Sequence, residues 1–295
     1  MSKTCCNCGR VIESGYEVYM DDDIWCEDCY EDWNTTYPLK DYHEHHSVKP
    51  IFFTTSNEND KLLLGVELEV NSKGNQYMYR EDLADIAGGL FPFMPKNFIG
   101  IEEDGSLDNG FEIITQPASF DFHTAIKNNY TEAFKYLVES DMRSHNTNCC
   151  GLHIHFNRDY FADNEDLYTT RLLYLVEKFW EEITKFSRRT NYSINRWCSR
   201  YNGTPEQMVK DYKDGVLGRY YAINLTNKNT IEFRIFRGTL KLNTFIASLQ
   251  LVETMVKTCR NATSIEELQD LRWEDLLKYD EIKSYWEEVK DRVVR

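Results

Sequence analysis

Two glutamates one residue apart, Glu67 and Glu69 in Leu64-Gly65-Val66-Glu67-Leu68-Glu69-Val70, are the groups in this sequence best arranged to do chemistry. The segment alternates as a β-strand does. Both carboxylates therefore leave one face roughly 6.6 Å apart, while Val66, Leu68 and Val70 point to the other. Alone, the pattern describes any amphipathic strand; here it has company. Asp104-Gly105-Ser106 precedes a turn at Asp108-Asn109-Gly110, after which Glu112 follows in Gly110-Phe111-Glu112-Ile113-Ile114. Gly151-Leu152-His153-Ile154-His155-Phe156 puts two imidazoles on one strand face, and Thr230-Ile231-Glu232-Phe233-Arg234-Ile235-Phe236-Arg237 pairs Glu232 with Arg234.

Four such strands give a sheet face rich in Glu, His and Arg, which repels itself unless cations or anionic ligands join it. Carboxylates with one or two imidazoles suit hard divalent ions, Mg²⁺ or Mn²⁺. Arginines among them suit phosphate or carboxylate through their planar fork. Metal ions with arginine are the apparatus of phosphoryl transfer. The sequence has no Gly-x-x-x-x-Gly-Lys loop, no His-Glu-x-x-His helix and no nucleophile elbow.

A second constellation lies near the start. Cys5-x-x-Cys8 is followed seventeen residues later by Cys26-x-x-Cys29, a spacing typical of four-thiolate structural zinc. Cys6 competes with Cys5, which gives the better knuckle spacing. Zinc is favoured over disulfides because no apolar signal core follows Met1, which also points to a cytoplasmic protein. The remaining cysteines, Cys149, Cys150, Cys198 and Cys259, read as small buried apolar residues.

Residues 1–40 form the expected zinc module, too small to fold without its metal. Residues 41–61 read as a linker whose His43, His45 and His46 fit a solvated loop better than a metal site. A catalytic domain spans 62–262, and helices over 263–295 pack on it. Expected strands are 62–70, 98–103, 111–115, 152–157, 220–225 and 230–236. Expected helices are 122–140, 165–187, 205–212, 243–260, 265–271 and 273–294. Thr204-Pro205 and Ser264-Ile265-Glu266-Glu267 carry helix-start signals. Leu172, Leu175, Val176, Phe179, Trp180 and Ile183 make a core stripe at helical spacing. The fold class is α+β: a mostly antiparallel sheet with helices against one face.

The net charge of −15 repels a phosphate backbone and argues against nucleic-acid binding. No apolar run is long enough to span a bilayer. Acidic residues crowd the zinc module, which favours a protein contact or a lid over the main domain.

In this order, the 65–70, 104–112, 150–156 and 230–240 motifs resemble the amidoligase family, similar in fold to glutamine synthetase and glutamate–cysteine ligase. The resemblance covers roughly residues 61 to 260 and leaves out the zinc module and the last helices. It implies a curved sheet holding Mg·ATP and two substrates, a carboxylate and an amine, on small molecules, peptides or proteins. By position, Glu69, Asp104 and Glu112 would hold one Mg²⁺, and Glu67, His153 and Glu232 the other. Glu102 and Glu103 compete with Asp104, which the Asp-Gly-Ser match favours. His155 would lie near the nucleotide phosphates, and Arg234 would stabilise the transferring phosphoryl group. Arg237 belongs to the same motif, yet alternation turns it to the opposite face unless a bulge intervenes. Asn224 falls where the family has an Asn and is assigned to the nucleotide site. Arg196 and Arg200 fit either a loop closing on anionic reactants or plain surface cations. Two other readings compete: a metal-dependent amide or ester hydrolase, and a non-catalytic scaffold that binds a partner through the zinc module.

Overall fold

Alternation and turn chemistry build two units in this protein. Its computed structural model describes residues 3–20, 22–42, 44, 49–55, 61–74, 77–145, 147 and 149–294. His43, His45 and His46 lie outside the described residues. One unit comprises Met1–Ser56 with Gly65–Cys150, the other Asn57–Leu64 with Gly151–Arg295.

The first unit opens with two short antiparallel ribbons, β1 (Lys3–Thr4) with β2 (Val11–Ile12) and β3 (Glu17–Met20) with β4 (Asp23–Cys26). Helix α1 (Glu27–Thr36) follows directly. Their apolar interior is small. Cys5, Ile12 and Cys26 form one cluster, and Val18 and Tyr30, flanked by Trp25 and Trp33, form another. Lys40 closes the C-terminal end of α1, where carbonyls lack intrahelical partners. Its buried ammonium donates to Trp33 O at 3.0 Å and to Tyr37 O, and lies 3.6 Å from the Trp33 ring centroid. Burial brings its pKa down to about 8.

After this module come β5 (Leu64–Ser72), α2 (Arg80–Gly88), β6 (Ile99–Glu102), β7 (Gly110–Thr115), α3 (Phe120–Ala125), α4 (Lys127–Glu139) and β8 (Met142–Arg143). Strand β7 pairs antiparallel with both β5 and β6, and β8 pairs with β5. The other edge of β6 is covered by the N-terminal module of the same unit. Lys40 N donates to Ile101 O at 2.9 Å, Glu103 N to Lys40 O at 3.0 Å, and Asn34 Nδ2 to Ile99 O at 2.9 Å. Such cover protects an otherwise unpaired strand edge.

In the second unit the order is β9 (Gly151–Asn157), α5 (Glu165–Lys178), α6 (Trp180–Ser187), α7 (Asn191–Trp197), α8 (Pro205–Lys213), β10 (Ile223–Asn224), β11 (Thr230–Arg237), α9 (Leu242–Asn261), α10 (Ile265–Asp270) and α11 (Asp280–Val289). Strand β11 lies antiparallel between β9 and β10. Helix α9 is buried along most of its length, from Phe245 to Cys259.

Several boundaries differ from expectation. The helix expected over 165–187 breaks at Phe179, whose backbone (φ −107°, ψ 27°) separates α5 from α6. Most of its stripe is core: Leu172, Leu175, Val176, Phe179 and Ile183 are buried, whereas Trp180 is only half-buried. The helix expected over 122–140 divides at Ile126, and that over 273–294 becomes a 3₁₀ turn at Trp273–Leu276 followed by α11. The strand expected over 220–225 keeps only Ile223–Asn224, because Ser199 takes backbone bonds with Tyr220 and Ala222. Thr204 and Ser264 do cap α8 and α10, each accepting from the N–H three residues on. Among the described residues no helix is long and apolar enough to cross a membrane.

Candidate metal and anion site

Register decides what the carboxylates of the first unit do. Glu69 on β5 stands opposite Glu112 on β7, which in turn stands opposite Glu102 on β6. Three acids thus line up across three strands, all buried, at 5%, 6% and 0% exposure respectively. Directly opposed like charges destabilise a sheet. Asp104 enters from the loop after β6, and single oxygens of Glu69, Asp104 and Glu112 lie within 4.8 Å of one another. Glu67 shares the β5 face with Glu69. Burial pushes the Glu112 carboxyl well above the ordinary range of 4.5, and Glu67, Glu69, Asp104 and Glu102 add to that push.

Local sequence explains the alignment. Ser106 N–H donates to an Asp104 carboxylate oxygen, so the Asp-Gly-Ser turn fixes that side chain. Ser144 Oγ donates to Glu69 O at 2.7 Å. A Cβ on Gly110 would lie 2.0 Å from Val70 O, so only glycine lets β7 approach β5 there. Of the two rivals to Asp104, Glu103 turns outward to Arg80, 3.2 Å away, whereas Glu102 belongs to the carboxylate row. The donor set is all hard oxygen and fits Mg²⁺ or Mn²⁺.

In the second unit Glu232 is a hub. Asn224 Nδ2 donates to its Oε2 at 2.7 Å, Asn227 Nδ2 to the same oxygen at 3.2 Å, and Arg234 Nη1 to Oε1 at 2.5 Å. His153 Nδ1 lies 3.6 Å and His155 Nε2 4.0 Å from Oε1. His155 Nδ1 also meets Thr230 Oγ1 at 3.1 Å. Asn224, expected at the nucleotide site, bonds Glu232 here, and its own Oδ1 accepts from the Thr226 N–H and hydroxyl. Arg234 is engaged with the same carboxylate.

The register shift between Phe233 and Phe236 settles the orientation of Arg237. On β9, Ile154 faces Phe233 and Leu152 faces Phe236, so β11 carries one extra residue there. Beyond this bulge Arg237 pairs with Gly151, on the face of His153 and His155. The simple alternation that turned it away fails at this point.

Two residues of this neighbourhood escaped the sequence reading. Asn227 follows β10 in an ordinary-looking turn. Arg189, only 3% exposed, donates to Arg234 O and Phe236 O, each at 3.2 Å, and to Ser193 Oγ at 2.9 Å. It thereby ties down the bulge. A Cβ on Gly151 would fall 2.6 Å from Arg189 Nη2 and 2.8 Å from His153 Nε2. Arg196 and Arg200 are engaged elsewhere: Arg196 with Tyr192 OH at 3.0 Å, Arg200 with Glu177 at 2.6 and 2.7 Å.

In the N-terminal module one sulfur each of Cys5, Cys8, Cys26 and Cys29 lies within the same 4.8 Å limit. Cys8 and Cys26 Sγ are 3.8 Å apart, the edge of a tetrahedron with Zn–S bonds of about 2.3 Å. Burial works to raise the Cys5 thiol, but N–H groups of Cys8, Cys26 and Asn7 outweigh it and bring the pKa to about 6. Cys6 is exposed and outside the group. Four thiolates fit a closed zinc site.

No family model matches the chain, and no curated protein matches it. Among solved structures the chain is similar to the ligase PafA in its complex with the prokaryotic ubiquitin-like protein Pup. The TM-score is 0.35 at 13% identity, covering 78% of this chain and 51% of that one. The chain thus spans about half the length of that neighbour, and a likeness this low carries no inference about activity.

Proposed function

We propose that this protein is an ATP- and Mg²⁺-dependent carboxylate–amine ligase. The observation that carries the reading is the buried cross-strand carboxylate row, with Asp104 gathered onto Glu69 and Glu112. Such a set tolerates its own charge only with a cation or protons present. The ordered motifs of the sequence and the arginine-bearing β11 give the reading its direction.

In this proposal Glu69, Asp104 and Glu112 would hold one Mg²⁺, and His153 and Glu232 would serve a second ion. The ions would neutralise charge on the phosphoryl group in transfer. His155 lies toward the nucleotide phosphates, and Arg234 and Arg237 offer their guanidinium groups to developing negative charge. Asn224 and Asn227 hold Glu232 in place. A substrate carboxylate oxygen takes the γ-phosphoryl group of ATP, releasing ADP. The amine nitrogen then attacks the acyl carbon, the C–O bond to phosphate breaks, and the nitrogen gives up its proton to leave an amide. Amino acids, peptides and proteins are the acid and amine classes to screen.

Calorimetric titration with a non-hydrolysable ATP analogue tests the reading without knowledge of either substrate. Saturable, Mg²⁺-dependent binding by the wild type and its loss in Glu69→Ala are expected. A zinc-replete, folded wild type that binds no analogue overturns the proposal and favours a metal-dependent hydrolase or a scaffold.

A further inference from the structure

In the second unit one buried guanidinium organises the segment that carries the two asparagines on Glu232. Arg158 opens a 3₁₀ turn, Arg158–Phe161, directly after β9 and is only 7% exposed. It bonds the five residues that connect β10 to β11, Leu225-Thr226-Asn227-Lys228-Asn229. Three carbonyls of that connection accept from this one residue. Arg158 Nη2 donates to Leu225 O, Nε to Asn227 O at 2.9 Å, and the backbone N–H to Asn229 O at 3.0 Å. The guanidinium is itself held: Nη1 donates to Glu165 of α5, and Cζ lies 4.7 Å from the Tyr212 ring centroid of α8.

A connection between two antiparallel strands closes without such a residue, on turn chemistry alone. Burying a charge costs desolvation that only well-made hydrogen bonds offset. What these bonds fix is the aim of two side chains. Asn227, whose carbonyl accepts from Arg158, donates through Nδ2 to Glu232 Oε2 at 3.2 Å. Asn224, immediately before Leu225, donates to the same oxygen at 2.7 Å. With both amides on Oε2, Oε1 is the oxygen turned to Arg234 and, at 3.6 Å, to His153 Nδ1. Charged donors to carbonyls hold the connection more firmly than neutral ones do.

We infer that Arg158 is a positioning residue for Glu232: it moulds the 225–229 connection so that Asn224 and Asn227 hold one carboxylate oxygen and aim the other at His153. What the aimed carboxylate serves rests on the ligase reading; the aiming itself does not.

The test uses full-length, zinc-replete protein labelled with ¹⁵N at asparagine, without nucleotide. NMR follows the side-chain amides of Asn224 and Asn227, identified by their disappearance in Asn224→Ala and Asn227→Ala. In the wild type both should exchange slowly with water. In Arg158→Gln both resonances should shift and exchange about tenfold faster or more. Arg158→Lys, which keeps the charge without the planar fork, should act likewise and decides should Arg158→Gln unfold. Arg171→Gln is the control for a purely structural role. Arg171 is equally buried at 7% and donates to Cys259 O at 3.2 Å and Ala262 O at 2.7 Å, at the end of α9. Its loss should lower the melting temperature and leave both amides as they are. Folded Arg158 variants with wild-type amides overturn the inference, as do equal effects from Arg171→Gln or unfolding of both Arg158 variants. Calorimetry with Mg²⁺ and the ATP analogue adds the link to function. Arg158→Lys should raise Kd about tenfold, and adding Asn227→Ala should raise it little further, because both act through Glu232. A wild type that binds no analogue strikes the ligase reading, while the amide spectra still decide the role of Arg158.

Discussion

Glu112 illustrates how one residue carries conflicting demands of stability and function. It is buried, faces Glu69 on one side and Glu102 on the other, and its carboxyl is held well above the ordinary value of 4.5. A carboxyl whose folded pKa exceeds its unfolded one takes up a proton on folding, so its contribution favours folding at low pH. That contribution is lost as pH rises from about 4.5 through the raised value. Metal-free protein should therefore lose stability across this window, and Mg²⁺ should restore it by binding only the folded state. Glu112→Gln removes the central charge of the row. It should raise the metal-free melting temperature by about 2 °C, roughly 1 kcal/mol, and abolish the Mg²⁺-dependent rise. Calorimetric melting with and without Mg²⁺ reads both effects; a mutant stabilised by Mg²⁺ as fully as the wild type would show that Glu112 holds no ion. The shared face of Glu67 and Glu69 was legible from strand alternation alone. Asn227 and Arg189 were not, because a turn asparagine and an arginine at a helix end carry no period that marks them.

Elements differ in how they tolerate change at the site, and two glycines show it. Gly110 sits where β7 meets the backbone of β5, and an added Cβ would strike Val70 O at 2.0 Å. No rotamer relieves a clash between two backbones. Gly110→Ala should cost more than about 3 kcal/mol in urea unfolding and displace the carboxylate row with it. At Gly151 the obstructing atoms are the ends of two side chains, Arg189 Nη2 and His153 Nε2, which can move. Gly151→Ala should then cost only about 1 kcal/mol yet weaken Mg²⁺-dependent analogue binding by about tenfold or more, since it displaces His153 rather than the strand. A Gly151→Ala protein that binds the analogue normally would detach His153 from the metal proposal. Sequence reading located most elements and misjudged their ends for identifiable reasons. Phe179 interrupts a continuous apolar stripe without Pro or Gly, and the β11 bulge adds a residue that alternation does not encode. Only pairing with β9 reveals it.

At the scale of the whole molecule, the N-terminal module is coupled to the first unit's sheet by more than covalent connection. Lys40 pairs with β6 through its backbone and closes α1 through its side chain. Asn34 bonds Ile99 O, and Asn97 N donates to Glu31 at 3.1 Å. The module's own apolar clusters are too small to hold α1 in place, so the proposed zinc site would fix the element that shields β6. Zinc removal should therefore reach beyond the module. Chelation, or Cys8→Ser, should change Trp25 and Trp33 fluorescence, lower the melting temperature by several degrees, and raise amide exchange in β6 as its edge opens. Cys6→Ser, outside the four-sulfur group, should do none of these. Equal effects from Cys6→Ser and Cys8→Ser would disprove the ligand set. Protected β6 amides after complete zinc loss would show instead that the sheet holds its edge without the module.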